Sequence, residues 1–145
     1  MMREILFRGK AINRDESYHR TEYQNGEWVY GLVTKLYDEQ FKNLPAEMTN
    51  TNGISGIEID YKTIGQYTGM VDKHGTKIFE GDILAFEDTD GELTNYEILW
   101  FKNKWVVRES NYNAVDDLDL FFCECSTVIG NIYDNPELLG DEEND

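Results

Sequence analysis

The stretch Gln66–Leu84, QYTGMVDKHGTKIFEGDIL, decides how the chain folds. It alternates short apolar segments with tight-turn chemistry. Ile64 to Gly69 reads as a strand. Asp72-Lys73-His74-Gly75 follows as a turn, because Asp bonds its own backbone and Gly takes positive φ freely. Ile78-Phe79 is an apolar pair, Glu80-Gly81-Asp82 a second turn, and Ile83 to Phe86 the next strand.

Downstream the same grammar continues. Asp90-Gly91 supplies a third turn, and Thr94–Phe101 with Trp105–Glu109 form a hairpin around Lys102-Asn103-Lys104. NAVDDLDL (113–120) suggests one helical turn, with Val115, Leu118 and Phe121 facing inward. Thr127–Tyr133 is the last strand, and Asn135-Pro136 starts a turn or short helix through Leu139. Strands this short cannot cover a core as one flat sheet, so they are expected to curl into a small barrel. A helical turn before the last strand is the order of an SH3-like barrel.

Upstream, Arg3–Ile12 alternates apolar and charged residues and reads as a half-buried strand, with Ile5 and Phe7 inward. Tyr18–Tyr23 and Glu27–Tyr37 are expected to pair across Asn25-Gly26, a favoured type I′ hairpin pair. DEQFKNL (38–44) suggests a short helix before Pro45, and Thr49–Gly53 a mobile surface loop between two lobes. Ile57–Asp60 forms a short strand. The fold class is therefore α+β, mainly β: an N-terminal β-hairpin lobe over 1–60 with a mobile loop near 38–55, an SH3-like β-barrel over 61–139, and an acidic tail at 140–145.

The 145 residues are 40% hydrophobic, enough for a core without disulfides or metals. The net charge is −16 and unevenly spread. Residues 1–35 carry six Lys/Arg against five Asp/Glu, whereas residues 86–145 carry three against sixteen. Nonspecific nucleic-acid binding by the whole molecule is disfavoured, since phosphates reward a basic surface. A basic partner, or mimicry of DNA charge, is the complementary expectation. Two cysteines make no disulfide framework. No apolar run reaches membrane-spanning length, and charges interrupt the first twelve residues, so a soluble cytoplasmic protein is expected.

Few residues suggest chemistry. Cys123 and Cys125 would share a face on a strand, but no second cysteine pair completes a soft-metal site; buried thiols are the plainer reading. His19 and His74 read as exposed polar residues. Phe86–Glu92 has a calcium-loop flavour, but counting back from Gly91 puts Phe86 where Asp is required. Asp116, Asp117, Asp119 and Glu124 form an acidic cluster that reads as a solvated face before it reads as a Mg²⁺ site. Arg3, Arg8, Lys10, Arg14 and Arg20, interleaved with aromatics, are the candidate nucleic-acid contacts. No catalytic, metal or cofactor set is identified.

Three segments in order, REILFRGK (3–10) with GEWVYG (26–31), TIGQYTGMVDKHGTKIFEGDIL (63–84) and VIGNIYDNPELL (128–139), resemble the YopX family of phage and prophage proteins. The resemblance implies a barrel-like C-terminal domain and self-association, and it brings no known activity, cofactor or catalytic residue. Its signature falls on Gln66, Tyr67, Gly69, Asp72, Gly75, Glu80, Gly81, Asp82, Gly130 and Asn131, which read as fold markers. The expected function is that of a phage accessory protein acting by protein–protein contact, with a second copy or a host or phage protein as partner. The alternatives are a nucleic-acid module using the arginine-bearing N-terminal face and a divalent-metal enzyme using the acidic cluster.

Overall fold

The computed structural model describes residues 3–13, 23–36, 45–110 and 112–140. The chain divides into two compact units, 1–66 and 67–145. The architecture is mainly β: ten antiparallel strands, one short α-helix and a terminal 3-10 turn among the described residues.

In the first unit, β1 (Phe7–Ala11), β2 (Trp28–Lys35), β3 (Ala46–Asn50) and the first part of β4 (Ile57–Val71) pair in sequence order. β4 also pairs back onto β1, so the hydrogen-bonded strands close into a ring. Closure needs a bend, and β4 provides it: Arg8 faces Gly65 while Lys10 faces Asp60, so extra residues bulge from β4. Thr63 fastens the bulge, donating from Oγ1 to Asp60 O (2.7 Å) and accepting from Lys10 N (2.8 Å). The ring encloses Val29, Ala46, Met48, Ile57 and Ile59.

The local expectations here hold in part. β1 is shorter than Arg3–Ile12, and Ile5 lies outside it, 59% exposed. Among the described residues, β2 pairs with β1 on one edge and β3 on the other. Residues 18–22 and the helix expected at 38–44 lie outside the described residues. Asn25-Gly26 is a turn closed by Glu27 N donating to Gln24 O (3.1 Å), but only Gly26 has positive φ, so it is not type I′. Thr49–Gly53 is not a loop between lobes. Thr49 and Asn50 belong to β3, and the segment is the hairpin joining β3 to β4 inside the first unit.

In the second unit, the end of β4 pairs with β5 (Lys77–Phe79). A five-stranded sheet then runs in the order β10–β6–β7–β8–β9, formed by β6 (Asp82–Glu87), β7 (Leu93–Phe101), β8 (Lys104–Glu109), β9 (Val115–Asp117) and β10 (Ser126–Asn131). Helix α1 (Leu120–Glu124) sits between its last two strands in sequence. This order, last strand beside first and a helical turn before the last, is the one expected for an SH3-like barrel. Ile78, Leu84, Ile98, Val107, Leu118, Phe122 and Cys123 form the core. The two-residue loop with both φ positive is Lys102-Asn103 (51° and 67°), joining β7 to β8.

Three hairpins share one five-residue device. Asn50, Asp72 and Asp88 each accept, through Oδ1, the backbone N–H groups two and four residues ahead, at 2.8–3.0 Å. In each, a glycine three residues ahead (Gly53, Gly75, Gly91) has φ near +85° and donates back to the Asx carbonyl. The side chain thus satisfies donors that the reversing chain would otherwise strand.

Asp72 does more than the other two. Its Oδ2 accepts Val128 N of β10 (2.9 Å), and Lys73 N donates to Ser126 O (3.1 Å). The turn thereby covers part of the outer edge of β10. Asp72 is only 5% exposed. Burial pushes its carboxyl up, but N–H donors from Val128, Thr76 and His74, with the nearby His74 charge, outweigh that and hold it below the usual value.

The helix expected at 113–120 lies further on. Val115–Asp117 is an edge strand, and α1 begins at Leu120 because Asp119 caps it, accepting from Phe122 N (2.8 Å). Leu118 and Phe122 therefore face inward, and Phe121 faces out, 65% exposed. Cys123 and Cys125 do not share a strand face. Cys123 is buried on α1 and Cys125 is its C-cap. Burial, with Asp119, Asp72 and Glu124 nearby, pushes the Cys123 thiol up to about 11, which leaves it a packing group at neutral pH.

Candidate functional site

The five proposed nucleic-acid contacts do not form a shared exposed face among the described residues. Arg3 is exposed, but Arg8 is 5% exposed, its guanidinium 4.5 Å from the Trp28 ring centre. Lys10, two residues along β1, lies over the same ring at 5.4 Å. Alternation puts both cations on the Trp28 face, where the indole holds them by cation–π attraction. Arg14 and Arg20, like His19, fall outside the described residues. His74 is exposed in its turn.

The acidic cluster is not a cation cage. No group of three or more His, Cys, Asp or Glu among the described residues is arranged to hold a metal ion. Instead, its aspartates rim a cleft in the second unit, of about 380 Å³, lined by Phe86, Tyr96, Val107, Asp116, Asp117, Asp119, Phe121 and Phe122. That volume is in the range that accepts a few side chains or a small ligand.

The floor is aromatic. Phe86 of β6 stacks on Phe122 of α1, with centroids 5.1 Å apart and planes at 15°. Tyr96 of β7 meets Phe122 edge-on at 5.2 Å, and Phe121 stands 6.3 Å from Phe86. Phe122 anchors this cluster from the core side, while Phe121 and its neighbour Leu120 (66% exposed) present apolar surface to solvent. Such adjacent exposed large residues are informative, unlike single ones.

Part of the rim's charge has no ion-pair partner among the described residues. Asp116 lies across from Val107, on the cleft side of β9. Lys104 pairs with Asp117 (Nζ–Oδ1 2.7 Å), but among the described residues no ion pair involves Asp116 or Asp119. The field is felt at the floor: burial first, then Glu109 and Asp116, push the Tyr96 phenol up. A second, more polar cleft lined by Glu97, Arg108, Glu109, Ser110, Tyr112, Asn113 and Leu139 is different. Its cation is already used, since Arg108 pairs with Glu97 at 3.0 Å.

The residues of the central motif lie in turns and strand contacts. Gln66 pairs with Phe7, and Tyr67 packs on Phe79 at 5.6 Å under Lys77. Gly69 (φ +89°) sits where the β4–β5 register slips. Gly81 (φ +89°) donates to Ile98 O and accepts from Ile132 N, while Asp82, 2% exposed, accepts Phe79 N at 2.7 Å. Glu80 is half-buried in the same turn. A Cβ on Gly130 would lie 2.5 Å from Asn135 Oδ1, and Asn131 accepts Tyr133 N and Asp134 N. Gln66 and Tyr67 thus lie in β4, and the turns hold most of the others.

Residues 7–140 match the family model described as YopX protein. The chain belongs to the YopX family. The fold is also similar to the crystal structure of protein EF1440 from Enterococcus faecalis, at 25% identity and a TM-score of 0.53, covering 94% of this chain and 98% of that one. No curated protein matches the sequence. Within this YopX-family chain, the cleft shares little with the motif that marks the family. Phe86, Tyr96, Val107 and residues 116–122 all lie outside Gln66–Leu84. The signal that would have pointed to it is Asp119 followed by LFFC, an N-cap before an apolar run.

Proposed function

We propose that the protein is a phage or prophage accessory protein that works by binding another protein through the aromatic cleft of its second unit. One observation carries this reading: Phe121, about two-thirds exposed, lines a cleft with an aromatic floor, and its neighbour Leu120 is equally exposed. Exposed apolar surface of this kind costs solubility unless a partner covers it. Aromatic anchors in a pocket are also the groups that dominate protein interfaces.

Phe121→Ser tests the reading. Phe121 is exposed, so the variant is expected to lose no more than about 0.5 kcal/mol of stability. Affinity capture from host cells carrying the phage or prophage should retain a partner on the unaltered protein and lose it on the variant. Recovery of the same proteins by both would count against the cleft.

A further inference from the structure

The rim and the sheet edge together narrow what the cleft can take, and this step rests on the protein-contact reading above. We infer that its occupant is an extended peptide segment of a partner protein, with Lys or Arg beside a large aromatic or aliphatic side chain.

Three observations converge. The floor of Phe86, Tyr96 and Phe122 is apolar and accepts an apolar side chain. The rim offers Asp116 and Asp119, neither in an ion pair among the described residues, in a unit with five Lys/Arg against nineteen Asp/Glu. That unit's own cations are largely engaged: Lys73 with Glu87, Lys104 with Asp117, Arg108 with Glu97. A partner is therefore the natural source of positive charge, and complementary charge speeds encounter and fixes register.

The third observation is the edge. The sheet ends at β10 on one side and β9 on the other. The Asp72 turn covers β10 at Ser126 and Val128, whereas among the described residues β9 pairs with β8 alone. An exposed edge is a template for another strand. Here it carries Asp116 and Asp117, both exposed, so a second β9 would be repelled and a cationic strand favoured.

Fluorescence anisotropy with three labelled synthetic peptides decides the matter: one alternating Lys with Trp and Val, the same with Glu for Lys, and the chain's own residues 100–105. The expected result is saturable binding of the Lys peptide only, weakened about tenfold by Asp116→Asn or by raising salt from about 0.05 to 0.5 M, and lost in Phe121→Ser. Equal binding of the Glu peptide, or indifference to Asp116→Asn, overturns the cationic assignment; if Phe121→Ser still abolishes binding, the contact reading survives that failure. Tightest binding by the 100–105 peptide, with mass rising with concentration, assigns the cleft to a second copy and also overturns it. Indifference of every peptide and of partner capture to Phe121→Ser removes both readings.

Discussion

Asp72→Ala is expected to destabilise the second unit by about 3 kcal/mol, whereas Asp88→Ala should cost about 1 kcal/mol or less. The two aspartates make the same pair of turn bonds, to the residues two and four ahead. Only Asp72 is buried, and only Asp72 also accepts Val128 N on β10. The difference between the variants therefore reads the cross-link rather than the turn. Asp72→Asn separates the contributions further. Its amide oxygen keeps the turn bonds, while its NH₂ faces the Val128 N–H, donor to donor. Thermal melts resolve these differences, since 1 kcal/mol moves Tm by about 4–8 °C in a unit of this size.

The pH dependence of the same group has a defined sign. The folded Asp72 carboxyl is held below 3.8, its value in the unfolded chain. The unfolded state therefore binds the proton first as pH falls. The stabilisation is fully present above 3.8 and is lost as pH drops through the lower folded value. Unaltered protein and Asp72→Asn should converge in stability only in that acid window. A constant difference down to the lowest pH would show that the charge on Asp72 contributes nothing.

Gly31→Ala is the second large effect, expected to cost about 3 kcal/mol or more. A Cβ at Gly31 would lie within 1.9 Å of Thr49 O and 2.8 Å of Asn50 Cα. Both are backbone atoms of β3, so no rotamer change relieves the clash. β2 and β3 must separate, which opens the ring of the first unit. Gly26→Ala is the control: it meets nothing within 4 Å and bears only the strain of φ +87°, about 1 kcal/mol. Amide exchange over Trp28–Lys35 and Ala46–Asn50 should quicken strongly in the first variant and little in the second.

What could be read from the residues was local chemistry. Asp72-x-x-Gly75 is self-contained, because the Asp72 side chain accepts the backbone N–H groups just ahead of it; around Asp90-Gly91 the side chain that does so is Asp88. The helical turn before the last strand and Pro136 at the start of the 3-10 turn are equally local. The pairing of β2 was not legible, since its partners Phe7–Ala11 and Ala46–Asn50 are chosen by ring closure rather than by the nearest turn. A single cap shifted the helix: with Asp119 at the N-cap, Phe122 turns into the core and Phe121 out. The cleft was hidden for the same reason. Its floor draws on β6, β7, β8 and α1, and only the fold brings Phe86 within stacking distance of Phe122.

On the reading proposed above, this chain acts through the cleft beside α1. Backbone amide NMR of the full chain, titrated with the Lys–Trp–Val peptide, maps contact residue by residue. The shifts are predicted to concentrate on Phe86, Tyr96 and residues 115–122, leaving the Trp28 face of the first unit unmoved. Shifts centred on Arg8, Lys10 and Trp28 instead, with the cleft silent, would contradict it.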